Sequence, residues 1–173
     1  HTLPNTQWAE KYQSKVSKYE SQFFALTERV DWNLGRLRAA LQKSGQAENT
    51  VIIFMGDNGG TGGVKYFNAG MRGQKGSIYD GGHRTPFFMH WPAGNLNNKT
   101  EVTSLHAHID VLPSLIDLLG LEGPQMSSFD GESFVKQLYA PSVKPPARTL
   151  FVESQRTFKP VQWDGTTGMS GPW

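Results

Sequence analysis

The sequence contains no cysteine, which excludes disulfide bridges, thiolate metal centres and a cysteine nucleophile within these 173 residues. Long apolar runs are missing as well. None approaches the roughly 20 residues that a membrane-spanning helix needs. Nor does charge of one sign dominate, since 17 basic residues face 15 acidic ones for a net charge of +2. No basic run interleaves with aromatics, so an interface that neutralises nucleic-acid phosphates has no support. The chain opens at His1 without an initiator methionine or a signal-peptide pattern.

What is present suits a loop-rich globular protein rather than a disordered one: 37% of residues are hydrophobic, with 19 glycines and 10 prolines. Thr50–Met55 is a continuous apolar run rich in β-branched residues and reads as a buried strand. The turn Gly56-Asp57-Asn58-Gly59-Gly60 follows at once. Open α/β sheets place ligands just beyond the carboxyl ends of their strands. Asp57 and Asn58 offer hard oxygen donors of the kind that Ca²⁺ or Mg²⁺ prefers, although Asp-Asn-Gly alone is first of all a turn sequence. A glycine-dense loop then carries Arg72-Gly73-Gln74-Lys75-Gly76-Ser77. It lacks the spacing of a phosphate-binding P-loop. Long irregular loops in compact domains are more often functional than decorative. A lysine ammonium there is a compact charge suited to a tetrahedral oxyanion. Asp80-Gly81-Gly82-His83-Arg84-Thr85-Pro86 completes the stretch, with Asp80 and Arg84 placed to pair across the glycines, and an apolar strand closes on Trp91-Pro92.

Together, the strand ending in Gly-Asp-Asn-Gly, the RGQKGSIYDGGHRTP segment and the strand closing on Trp-Pro resemble the sulfatase family. More narrowly they are similar to its arylsulfatase type, within the alkaline-phosphatase superfamily. The resemblance implies a portion of an α/β/α sandwich with a mixed, mostly parallel sheet. It implies residues 1–140 as part of a catalytic domain and 141–173 as a proline-rich linker and the start of a C-terminal subdomain. It implies hydrolysis of a sulfate monoester at a divalent-metal site, with Asp57 and Asn58 as ligands of Ca²⁺, or of Mg²⁺ as the alternative. Lys75 would bind the sulfate and assist the leaving group. His1, ahead of Pro4 and Glu10-Lys11-Tyr12, matches the family's sulfate-binding histidine. His83 stands at a position that varies in the family, and Arg72 reads as structural.

Family members use a formylglycine nucleophile made from the Cys or Ser of a C-x-P-S-R-type motif, which this sequence does not contain. Sulfatases are generally more than twice this long, so the expectation is an internal piece of a larger enzyme, inactive by itself. Its partners by resemblance are a sulfated small molecule or carbohydrate and, for the longer protein, a formylglycine-generating or anaerobic sulfatase-maturing enzyme. The compartment implied is periplasmic, secreted or lysosomal. Two rivals remain: a phosphodiesterase or phosphonate hydrolase of the same superfamily, and a non-catalytic module that retains the fold.

Elsewhere the pattern is structural. Residues 1–12 read as a loop leading into a helix. Leu26, Val30, Leu34, Leu37 and Leu41 form one apolar stripe on a helix over 19–44 that Gly45 ends. His106, His108 and Asp110 have the spacing of a metal cluster on a strand, but DVLPSLIDLLG reads more simply as a helix between Asp110 and Gly120. A short helix ends near Tyr139, a strand covers 148–154, and 155–173 is loop-like. Asn98-Lys99-Thr100 fits a glycosylation pattern that also arises by chance.

Overall fold

The computed structural model describes residues 6–96, 101–123, 128–152 and 168–170. His1, the Asn98 pattern, and the segments 153–167 and 171–173 lie outside the described residues. The chain divides into two compact units, one within His1–His90 and Val152–Gly168, the other within Trp91–Phe151 and Met169–Trp173.

The first unit opens with an antiparallel-style helix pair. Helix α1 (Thr6–Gln13) starts where a loop is expected, and α2 (Lys18–Lys43) runs close to the expected bounds. Ser17 and Glu20 build a reciprocal capping box: the Glu20 N–H donates to Ser17 Oγ at 3.4 Å, and the Ser17 N–H donates to Glu20 Oε2 at 3.0 Å. Gly45, at φ +71°, follows the helix end in the left-handed region that a side chain disfavours. Small residues let the helices approach, since Ala9, Ser21 and Ala25 are buried. Edge-to-face contacts of Trp8 with Trp32, of Tyr12 with Phe24 and of Phe24 with Tyr66 fill the remainder. The far end of the apolar stripe is uncovered: Val30 and Leu37 are 51% and 50% exposed.

Strand β1 (Ile52–Met55) pairs antiparallel with β2 (Phe87–His90), with Ile52 opposite His90 and Met55 opposite Phe87. The short helix α3 (Asp80–His83) lies between them in sequence. The strand at 50–55 is confirmed in place but corrected in burial. Phe54 and Met55 are 38% and 42% exposed, and Phe88 on β2 is 65% exposed. A strand with apolar residues on both faces needs cover on both, and a two-stranded ribbon supplies neither.

The second unit holds α4 (Val111–Leu119), α5 (Val135–Tyr139) and most of a small pairing between β3 (Leu150–Val152) and β4 (Gly168–Ser170). Its buried centre is Asp110. The carboxylate accepts the N–H groups of Ala107 at 2.7 Å and Glu132 at 2.9 Å, together with both terminal nitrogens of Arg148. Asp110 stands at the N-cap of α4 as expected, yet its side chain turns back to these partners and makes no cap bond to α4. Burial would raise its pKa. The Arg148 guanidinium and the backbone donors outweigh that and hold the carboxyl well below the usual carboxylate range. His108 is exposed, so the H-x-H-x-D run is a corner tied down by Asp110.

In the first unit, Glu20 has the comparable role. The Lys65 ammonium bonds to it, against the opposing effect of burial, and Tyr66 Oη and the Ser17 N–H add to the hold, so that its pKa falls from 4.5 to about 2. A folded pKa below the unfolded one contributes stability that is complete above pH 4.5 and disappears as pH falls towards 2. The melting temperature of the chain should therefore drop more steeply across that window than that of Glu20→Gln. Parallel curves for the two proteins would show that the ion pair contributes nothing to folding.

Candidate functional site

The site grows from the end of β1. Gly56 continues the ladder by donating to the Pro86 carbonyl at 3.0 Å, and the chain then turns through Asp57 and Asn58. Asp57 is exposed and Asn58 half-buried, whereas Gly59 is buried. At Gly59 the loop meets α3 backbone to backbone. Its N–H donates to the Gly82 carbonyl at 2.8 Å, and a Cβ built on it would stand 1.8 Å from the Gly81 oxygen. One residue on, the Gly60 carbonyl accepts the N–H of Lys75 at 3.0 Å. The expected ligand pair and the expected oxyanion-binding lysine are thus brought into one cluster of loops.

The lysine loop is shaped by its own hydrogen bonds. Asn68 Nδ2 donates to the carbonyls of Met71 at 2.7 Å and Gly73 at 2.9 Å. The Gln74 N–H donates to Ser77 Oγ at 3.1 Å, and the Gly81 N–H donates to the Arg72 carbonyl at 2.8 Å. The Arg72 guanidinium lies 3.7 Å from the centroid of the Tyr79 ring, which agrees with a structural part for that arginine. Asp80 and Arg84 are linked through the backbone, where the Arg84 N–H closes α3 onto the Asp80 carbonyl at 2.8 Å. At the other side of the loop, Gly62 and Gly63 rest on the Phe23 ring of α2, and Tyr66 reaches Glu20. The loop is therefore anchored at both flanks.

The functional groups themselves stand unused. Among the described residues, no hydrogen bond or ion pair engages the Asp57 carboxylate, the Asn58 amide or the Lys75 ammonium. Free hard oxygens at a tight turn fit a hard cation such as Ca²⁺. The fit is incomplete within this chain, because no group of three or more acidic or histidine side chains gathers among the described residues. Sequence reasoning missed the tight contact of Gly59 with α3 and the part of Asn68. The facing pairs Gly59-Gly60 and Gly81-Gly82 were the available signal. His83 has both ring nitrogens enclosed and without a partner among the described residues.

The same residues fall inside a match to the Sulfatase family model, which spans residues 1–121. The chain belongs to the sulfatase family. A sulfatase of Formosa agariphila is 32% identical over 150 residues, covering 79% of this chain and 27% of that protein. The uncharacterized sulfatase YdeN of Escherichia coli is 31% identical over 153 residues, covering 86% of this chain and 27% of its own length. The chain thus spans about a quarter of these curated relatives. Among solved structures, Ps i-CgsB in complex with k-i-k-neocarrahexaose aligns with a TM-score of 0.72 at 25% identity, over 81% of this chain and 31% of that one. The phosphonate monoester hydrolase of Silicibacter pomeroyi aligns with a TM-score of 0.63 at 24% identity, over 83% of this chain and 27% of that one. The α/β fold of the chain is thus alkaline-phosphatase-like, and the sheet that carries the candidate site is, among the described residues, the antiparallel two-stranded β1–β2 rather than a mostly parallel one.

Asn68→Ala removes two hydrogen bonds of about 1 kcal/mol each from the lysine loop. Amide exchange should accelerate over residues 68–77 while α2 keeps its protection. Unchanged exchange in that loop would mean that Asn68 does not hold it.

Proposed function

We propose that this sulfatase segment carries half of an active site that cleaves a sulfate monoester to an alcohol and sulfate. One observation supports it above the rest: the Asp57–Asn58 turn and the Lys75 loop are joined by a backbone hydrogen bond while their functional groups have no partner among the described residues. Asp57 and Asn58 would hold Ca²⁺, with Mg²⁺ as the alternative, and the remaining ligands would come from a longer protein. A bound divalent cation would polarise the sulfate oxygens and offset their charge.

Lys75 acts on the same oxygens from the chain's own side. Its ammonium binds the sulfate as a point charge and stands ready to hand a proton to the departing alkoxide. His1 is proposed as a second sulfate ligand and proton donor, for which an imidazole is suited near neutral pH. The attacking group, a formylglycine by family resemblance, has no precursor motif in these 173 residues. Its formation would need a maturing enzyme acting on the longer protein. The substrate class favoured is a sulfated carbohydrate, since a neighbour of similar fold is described in complex with an oligosaccharide. The second reading, a phosphodiesterase or phosphonate hydrolase, comes from the superfamily resemblance, since the phosphonate hydrolase likeness at 24% identity supports the fold alone.

Two measurements test this. The purified 173-residue chain should show no turnover of an aryl sulfate, with or without added Ca²⁺, and metal-dependent turnover would overturn the half-site reading. In the longer enzyme, Asp57→Ala should abolish sulfate release together with bound metal. Full metal content in that variant would remove Asp57 from the ligand set, and preference for a phosphonate ester in the parent would favour the second reading.

A further inference from the structure

Glycine lets two backbones approach where a Cβ would have no room. In the first unit three glycines do so. A Cβ on Gly59 would lie 1.8 Å from the Gly81 oxygen, one on Gly81 would lie 2.2 Å from the Gly73 oxygen, and one on Gly82 would lie 2.0 Å from the Ser77 oxygen. Each obstacle is backbone, so relief requires moving a segment and not merely a side chain. By contrast, a Cβ on Gly60 would meet only Val64 Cγ2 at 3.0 Å, the end of a side chain that can rotate.

The first of these contacts joins the proposed metal-ligand turn to α3, and the other two join α3 to the proposed sulfate-binding loop. Three cross-segment hydrogen bonds run through the same place: Gly59 N–H to Gly82 O at 2.8 Å, Lys75 N–H to Gly60 O at 3.0 Å and Gly81 N–H to Arg72 O at 2.8 Å. We propose that Gly59, Gly81 and Gly82 are positioning residues whose bare backbones set where the Asp57 and Asn58 oxygens lie relative to Lys75. The inference rests on the sulfatase reading only for what the two loops bind. Asp57, Asn58 and Lys75 have no side-chain partner among the described residues to hold them in register. Their mutual placement is therefore a property of the backbone beneath them. A shift of about 1 Å between reacting groups is enough to cost on the order of 10²-fold in rate.

The first test uses the unmodified chain. The amide hydrogens of Gly59, Lys75 and Gly81 should exchange together, as one cooperative opening. A Lys75 amide that exchanges freely while Gly59 stays protected would show two independent loops and overturn the proposal. The second test uses the longer enzyme. Gly59→Ala should raise the half-saturating Ca²⁺ concentration and lower kcat by about 10²-fold, whereas Gly60→Ala should leave both near the parent values. A variant that merely melts earlier, with metal affinity and kcat retained below its melting temperature, would reduce Gly59 to a packing residue. Equal losses in both variants would likewise remove the special role of the contact. If Gly59→Ala does not fold, the exchange experiment decides. Should the parent fail to cleave sulfate esters, the exchange pattern still tests the contact separately from the reaction.

Discussion

Backbone lies directly on backbone where Gly59 meets Gly81 and Gly82, and the Asp57–Asn58 turn, α3 and the lysine loop are joined around that approach. An Asp-Asn turn at the end of a strand is ordinary. What makes this one useful is that the next residue gives up its side chain, so the turn can be bonded to α3 at 2.8 Å. The lysine loop is tied to the same turn through Gly60, and α3 is tied back to the lysine loop through Arg72. The result is a closed circuit of three segments, in which no segment can move without breaking a bond to another. Removing the side chains at these glycines costs conformational entropy on folding. The circuit returns a defined geometry in exchange, beside three charged or polar side chains that have no partner among the described residues.

The second unit reaches a fixed geometry by the opposite means. Asp110 is a buried carboxylate, and its surroundings converge on it: two backbone N–H groups, the Arg148 guanidinium and, through its own carbonyl, Ser114 Oγ at 2.6 Å. Ser114 Oγ in turn accepts the Phe134 N–H at 3.0 Å, which fixes the start of α5. A buried ion pair is weak evidence for net stability, because desolvation offsets much of the attraction. Its effect here is registry. The corner at 105–110, the loop at 131–134 and the strand entry at 148 are held to one point, and Gly131, whose Cβ would come within 2.1 Å of the Ile109 oxygen, lets them close.

These two devices explain what the sequence made legible. Periodicity and Gly45 placed α2, and Asp110 with Gly120 placed α4, while the Ser17 capping box at the start of α2 was seen only in the structure. The β-branched run placed β1, and the Gly-Asp-Asn-Gly and Lys75 segments pointed to the site through family resemblance. The start of α1 at Thr6 was hidden because Pro4 and Asn5 just before it read as loop residues. The partner of Asp110 was hidden for a different reason. Arg148 is 38 residues away, and long-range pairing leaves no periodic trace. The close approach at Gly59 was half visible: the glycine pairs could be seen, but which oxygen each one faces is a tertiary fact.

The exposed apolar strands and the unpaired site groups are two expressions of one condition. A strand such as Ile52–Met55, apolar on both faces, gains its stability from layers above and below, at roughly 25 cal/mol for each Å² covered. A hard cation of the Ca²⁺ type takes roughly six to eight oxygens, and Asp57 and Asn58 offer a small part of that number. Both deficits lie on the same short stretch, since the strand with Phe54 and Met55 exposed leads directly into the turn with Asp57 and Asn58. The apolar strand and the candidate ligand turn therefore share one short stretch of chain, and the backbone hydrogen bonds at Gly59 and Gly60 tie that stretch to α3 and to the lysine loop.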